Sequence, residues 1–249
     1  TLISRKDEIG ELAYSLDAMT KDLLLRMDSI ASFAADVSHE LKNPLTSLRS
    51  AIETLSIIKD KTKKKRLMEI VLEDINRLDR LITDISDASR LDADLSRDEM
   101  LRINLSKLIG EFIKIRKETI RNVKFIVKVQ DGLVIIGNQA RLIQVFDNLI
   151  NNAISFSPKN GEINIEAFSK VQKVLVIISD QGQGIAEGKK ETIFDRFYTE
   201  RPSNEKFGKH SGLGLSIVRQ ILLSHKANIY AENIYNDRKV AGARFIIEF

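Results

Sequence analysis

The chain has 249 residues, a formal charge of +4 from 39 basic and 35 acidic side chains, and no cysteine. That length allows one or two domains with real cores, and the missing thiols exclude disulfides and cysteine-ligated metal. The basic excess is mild and does not interleave with aromatics, so nucleic acid is not an expected partner; the longest apolar run, 174–178, is far short of a membrane span.

Residues 1–90 hold one glycine, Gly10, and one proline, Pro44, and read as helix almost throughout. Ile9, Leu12, Leu16, Met19 and Leu23 form a first heptad seam. Met27 joins it to a second: Ile30, Ala34, Val37, Leu41, Leu45, Leu48, Ile52 and Leu55. The 19-23-27 step is a stutter, which locally unwinds a coiled coil. Lys59 to Arg66 reads as a solvated basic turn, and a third stripe runs from Leu67 through Ile70, Val71, Leu78 and Ile85 to Ala88. Two long stripes joined by a short turn predict an antiparallel hairpin with apolar surface to spare, and hence a dimeric four-helix bundle. Thr1 falls inside a helical pattern, so the chain reads as part of a longer protein.

Inside the second seam lies Ser38-His39-Glu40-Leu41-Lys42-Asn43-Pro44-Leu45. His39 is two residues from both Val37 and Leu41, so at about 100° per residue it points off the seam to solvent. An exposed imidazole is a competent nucleophile near neutral pH. Glu40 beside it is placed to hold one ring nitrogen, and Pro44 removes a backbone donor one turn on, predicting a kink.

Residues 92–99 are polar and read as a linker. Beyond them helix and strand periods alternate: a helix over 105–118, strands over 124–130 and 133–136 with a hairpin signal at Asp131-Gly132, and a helix from Asn138 to Phe156 stopped by Ser157-Pro158. Strands follow at 162–168 and 173–179, then a loop over 181–211, a helix over 213–224, and strands near 228–234 and 243–249. The pattern predicts a two-layer α/β domain.

Three of its segments suit a nucleotide. Asn148 and Asn152, with Gln144 in line, share the helix face opposite Leu142, Val145, Phe146, Leu149 and Ala153. Amide oxygens there can ligate Mg²⁺ beside phosphates, although alone this is equally a solvated face. Asp180-Gln181-Gly182-Gln183-Gly184 ends an apolar strand, where the aspartate can accept from an adenine amino group. Ser211-Gly212-Leu213-Gly214-Leu215 opens a helix whose amides can face an anion. Between them lie Phe194, Arg196, Phe197, Tyr198, Arg201 and Lys209, a possible lid over phosphates or a plain surface loop.

In this order the motifs resemble the cytoplasmic part of two-component sensor histidine kinases. Residues 38–45 are similar to the phosphoacceptor box, 148–156 to the N box, 180–184 to the G1 box, 194–198 to the F box and 212–215 to the G2 box. Asp7-Glu8-Ile9-Gly10 resembles the closing half of a HAMP signal relay. Phe33 to Leu55, Ser155-Phe156-Ser157-Pro158 and Phe197-Tyr198-Thr199 through Arg201-Pro202 resemble the alphaproteobacterial ChvG/ExoS group. The implied organisation is a HAMP-like end over 1–27, a dimerisation and phosphotransfer hairpin over 28–95, and an ATP-binding two-layer sandwich of Bergerat (GHKL) type over 96–249. The implied activity is ATP-dependent autophosphorylation, phosphotransfer to an aspartate of a response regulator, and dephosphorylation of that regulator. His39 would be the phosphoacceptor, Glu40 its base or orienting partner, and Asn43 the residue positioning water. ATP would be bound by Asn148, Asn152, Phe156, Asp180, Gly182, Gly184, Lys209, Gly212, Leu213 and Gly214, with Asn148 and Asn152 ligating Mg²⁺. The implied partners are a second copy of the chain and a receiver domain. The implied place is the cytoplasmic side of a bacterial inner membrane, anchored through the parent protein.

Three departures stand out. Ser155 and Thr199 occupy positions where many relatives carry a phosphate-binding cation, with Arg196, Arg201 and Lys209 as substitutes to weigh; Lys226-Ala227 replaces the usual Gly-Gly. Two other classes remain: an ATPase with the same pocket but no kinase activity, and a non-catalytic dimeric scaffold. ATP binding and a label on His39 separate them.

Overall fold

Asp7 opens the first helix. Its Oδ1 accepts from the Gly10 amide at 3.1 Å, satisfying one of the free donors of the helix start. The molecule is described by a computed structural model, over residues 7–58, 60–95, 97–199, 211–237 and 239–249. It divides into two compact units, Thr1–Leu78 and Asp79–Phe249.

Helix α1 (Glu8–Ile57) runs 50 residues, unbroken through both seams and through Pro44, whose ring is buried. Helix α2 (Lys61–Leu95) follows after three residues. The basic cluster is therefore not a turn. Lys61 and Lys63 to Arg66 lie exposed in the first turns of α2, started by Asp60, whose Oδ1 accepts from the Thr62 (2.8 Å) and Lys63 (3.3 Å) amides. The 92–99 linker is also corrected. Helix continues to Leu95 because Leu91 is buried and the chain then turns tightly, the Arg97 and Asp98 amides both donating to the Asp94 carbonyl.

After α2 come β1 (Leu101–Asn104), α3 (Leu105–Thr119), β2 (Lys124–Val129), β3 (Val134–Gly137), α4 (Gln139–Phe156), β4 (Glu162–Lys170), β5 (Lys173–Ser179), a 3-10 turn (Thr192–Phe194), α5 (Gly214–Ser224), β6 (Asn228–Asn236) and β7 (Lys239–Glu248). Five strands form one sheet in the order β2-β4-β5-β7-β6, antiparallel except for β2 on β4. Strands β1 and β3 form a separate antiparallel pair, Leu101 opposite Gly137. The Asp131-Gly132 signal thus does not make a hairpin. Gly132 does take positive φ (+77°), but the turn sends the chain from one sheet to the other. Strand β1 was not expected; four residues are too few for alternation to show, and its partner lies some thirty residues on.

Alternation places Ile163, Ile165 and Ala167 of β4, Val176 and Ile178 of β5, and Phe245 and Ile247 of β7 inside. Leu142, Val145, Leu149 and Ala153 of α4 and Val218, Ile221 and Leu222 of α5 complete the core. This is the expected helical region followed by a two-layer α/β domain. Among the described residues no helix is long and apolar enough to cross a membrane.

Candidate functional site

Each unit carries a candidate centre. On α1, His39 and Asn43 are exposed one turn apart, and among the described residues the imidazole has no hydrogen-bond partner. Glu40 does not turn to it. Its Oε2 accepts from Arg77 Nη2 of α2 at 3.2 Å, with the two side chains only 28% and 12% exposed. Consecutive helical residues diverge by about 100°, so one faces out while the next faces the neighbouring helix. The expected contact between Glu40 and a ring nitrogen is replaced here by an ion pair that the heptad pattern did not reveal.

In the second unit, α4 is set in place at its start. Asn138 Oδ1 accepts from the Arg141 amide (3.2 Å), and the Asn138 amide donates to His225 Nε2 (2.9 Å) at the end of α5. The His225 Nδ1 lies 2.8 Å from the Ile221 carbonyl and donates to it, which fixes the neutral Nδ1–H tautomer. With the apolar side of α4 locked into the core, Asn148 and Asn152 are half-buried on the opposite side. Gln144 is not part of this group; its Oε1 accepts from Arg141, which is also held by Asp98 (2.7 Å) and Asp94 (3.2 Å). Burial opposes charge on Arg141, but these two carboxylates outweigh it and raise its pKa.

At the end of β5, Asp180 is 4% exposed. Its Oδ1 accepts from the amides of Gly182 (2.8 Å) and Ala243 (3.1 Å), leaving Oδ2 to the cavity that the side chain lines. Burial pushes the Asp180 carboxyl above its ordinary range, against the pull of those two amides. The turn after it has no room for side chains: a Cβ at Gly182 would stand 2.7 Å from the Phe156 carbonyl oxygen. Two supporting residues escaped the sequence reading. Asn233 of β6 clamps the loop, Oδ1 accepting from the Ile185 amide (2.7 Å) and Nδ2 donating to the Ile185 carbonyl (2.8 Å). Gly242 of β7 lets the strands close on Asp180, since a Cβ there would overlap the Asp180 carbonyl oxygen. The one available signal was a glycine inside a strand.

The third segment meets the first. A Cβ on Gly214 would lie 3.1 Å from Asn148 Oδ1, so the start of α5 abuts the polar face of α4. Gly212 takes φ of +74° against the backbone of Phe197, itself at +60°. Phe194 is a core aromatic, edge-on to Phe245 at 6.3 Å.

These segments enclose a cavity of about 440 Å³. Asn148, Asn152, Phe156, Asp180, Gly184, Gly212 and Gly214 line it, with Ser155, Tyr198, Thr199 and, from α2 in the same unit, Arg80 and Asp84. Gly182 and Leu213 are not among the lining residues, and Leu213 is fully buried. Lys209 lies outside the described residues, as do Arg201, Pro202 and His210. Among the described residues no three His, Cys, Asp or Glu side chains are grouped to hold a metal.

Residues 137–249 match the family model of histidine kinase-, DNA gyrase B- and HSP90-like ATPases, and residues 29–94 match the His kinase A (phospho-acceptor) domain. The catalytic domain of histidine kinase ThkA is 34% identical, over 61% of this chain and 97% of that one, with a TM-score of 0.52. The chain belongs to the sensor histidine kinase family. Within that family, sensor protein ChvG of Rhizobium meliloti (strain 1021) is 47% identical over 98% of this chain and 44% of its own length. This chain therefore spans less than half of that relative. The structure of ThkA in complex with the response regulator protein TrrA covers 98% of this chain and 67% of that one at 27% identity, with a TM-score of 0.69.

Proposed function

We propose that this chain is the cytoplasmic catalytic portion of a membrane-anchored sensor histidine kinase, with a HAMP-like end over 1–27, a phosphotransfer hairpin over 28–95 and an ATP-binding domain over 96–249. It transfers the γ-phosphoryl group of ATP to His39 and then to an aspartate of a response regulator. The observation that carries the reading is the convergence of Asn148, Asp180 and Gly214 on one 440 Å³ cavity, in a chain that also presents an exposed His39. The TrrA complex of ThkA supports a receiver domain as partner.

The fit to ATP and Mg²⁺ rests on donors already in place. Asp180 lines the cavity with both amide contacts on Oδ1, so Oδ2 can accept from an exocyclic amino group, and the start of α5, with no side-chain cap, offers amides to phosphates. Asn148 and Asn152 would hold Mg²⁺ through amide oxygens; the ion would neutralise phosphate charge. Ser155 and Thr199 line the cavity without charge, so Arg80 is the described cation on its wall. The exposed seam residues of α1 support a homodimer, in which a second hairpin covers them. On the face of α1 that carries His39, away from the seam, Asn43 positions water for dephosphorylation of the regulator, as an amide can without becoming a nucleophile.

The test is to incubate the chain with γ-labelled ATP. Acid-labile, base-stable label is expected, lost in His39→Gln while ATP binding persists. Label that survives in His39→Gln refutes the assignment. In Asn43→Ala, self-labelling should continue while loss of phosphate from the regulator slows.

A further inference from the structure

Arg77 pairs with one carboxylate and shares a helix face with a second. One is Glu40, reached by a single contact of 3.2 Å from Nη2 rather than by a two-pronged fork. The other is Asp74, three residues earlier on α2 and hence on the same helix face. Among the described residues, Arg77 Nε and Asp74 Oδ2 are both buried without a hydrogen-bond partner. Buried polar atoms are rarely left so, because each has given up a bond to water. These two are complementary, a donor and an acceptor one turn apart. Turning the guanidinium toward Asp74 satisfies both and surrenders only the long contact to Glu40.

We propose that Arg77 is a positioning residue that alternates between Glu40 and Asp74, and so sets whether Glu40 is free to take the proton of His39. The inference rests on the phosphotransfer reading above. In that step a lone pair on one imidazole nitrogen forms the N–P bond. The bond from the γ-phosphorus to its bridging oxygen breaks, its electrons leaving on ADP. The proton on the other ring nitrogen passes to the Glu40 carboxylate. With Arg77 on Glu40, as here, the carboxylate is turned from the imidazole and its charge is engaged. With Arg77 on Asp74 it is released. The residues lining the ATP cavity take no part in the exchange.

The two partners give variants of opposite sign, which a purely structural role does not. In the full chain, Arg77→Gln should raise kcat for autophosphorylation about fivefold, the worth of one partly buried ion pair, with KM for ATP unchanged. Asp74→Asn removes the alternative anchor and should lower kcat by about as much. Arg77→Lys, which keeps the charge, should return kcat toward the parent value. A fall in kcat in both variants, a shift in KM for ATP, or parent rates in both would overturn the assignment. If Arg77→Gln does not fold, Asp74→Asn decides alone, since it leaves the Glu40 contact intact; an unchanged kcat there is fatal. Absence of label on His39 in the parent chain would remove the phosphotransfer reading itself, and this inference with it.

Discussion

In the ATP-domain unit Leu142, Leu149 and Ile163 are 0% exposed, whereas Leu12, Met19 and Ile30 on α1 are 70%, 72% and 67% exposed. Similar side chains are used differently. In Asp79–Phe249 they close a core behind a cavity, and the acid of the cavity, Asp180, is buried with them. In Thr1–Leu78 they form a stripe that one chain cannot cover, and His39 stands in water. The acid that lines the cavity is fixed by packing, whereas the imidazole of α1 is left accessible. The sheet unit should therefore answer to substitutions as a folded monomer does, and the hairpin as an interface does.

The sharpest test is Gly242→Ala. The new methyl would meet the Asp180 carbonyl, a backbone atom that cannot step aside. A cost of about 4 kcal/mol is expected, from strain at a closed strand pair, with loss of nucleotide binding. Chemical denaturation and titration with a non-hydrolysable ATP analogue measure the two. Gly110→Ala is the counterpart: nothing lies within 4 Å of its Cβ position on α3, and helix propensity should stabilise it by about 0.5–1 kcal/mol.

Next in size is the pair Leu149→Ala and Leu16→Ala. The first opens a cavity in the core and should cost about 3 kcal/mol whatever the protein concentration. The second trims a side chain that is 63% exposed in the single chain. It should leave the ATP-domain unfolding transition unmoved and weaken self-association, read by sedimentation across a dilution series. If Leu16→Ala leaves association intact, the seam is not covered by a second copy.

Asp180→Asn should separate stability from function in the sheet unit. Burial raises the Asp180 pKa in the folded state, so the folded protein favours the protonated form. In acid both folded and unfolded chains carry the proton and the group contributes no pH dependence. As pH rises past the ordinary carboxylate range, the unfolded chain ionises first and folding is opposed. That penalty grows until the folded carboxyl ionises too. An amide side chain escapes it. The variant should gain on the parent in thermal unfolding over that window and level off above it, while ATP affinity falls. A parent that instead gains on the variant with rising pH would mean that the two amides on Oδ1, and not burial, dominate.

Legibility in the sequence also divided along this line. The long seams located α1 and α2, and the 3.6-residue face of α4 placed Asn148 and Asn152 opposite its core side, because helical periodicity is local. Pairing is not local. Strand β1 was missed and Asp131-Gly132 was read as a hairpin because the partners, β3 for β1 and β4 for β2, lie far along the chain. For the same reason Asn233 and Gly242, which hold Asp180 and its loop from β6 and β7, carried no motif, and Arg77 was invisible until α2 lay beside α1. Local patterns marked Asn148, Asn152, Asp180, Gly184, Gly212 and Gly214, which line one cavity, whereas the residues that brace them from other elements left no local pattern.

The smallest effect expected concerns the basic start of α2. Lys61 and Lys63 to Arg66 lie where the helix dipole is already positive, and the first turn holds no acidic residue. Asp60 opposes this in two ways: Oδ1 accepts from the Thr62 and Lys63 amides, and its negative charge sits at the positive end of the helix dipole. Asp60→Ala loses both and should cost about 1 kcal/mol. Asp60→Asn keeps an oxygen to accept those amides and loses only the charge, so its cost should be a few tenths of a kcal/mol at low ionic strength. Because exposed charges are screened within about 10 Å at 0.1 M salt, that smaller cost should vanish as salt rises, whereas the alanine cost should shrink only in part. Thermal melts of the hairpin signal by circular dichroism, at low and high salt, distinguish the two. Equal costs for Asn and Ala at every salt concentration would show that Asp60 acts by charge alone and that its hydrogen bonds to the helix start contribute nothing.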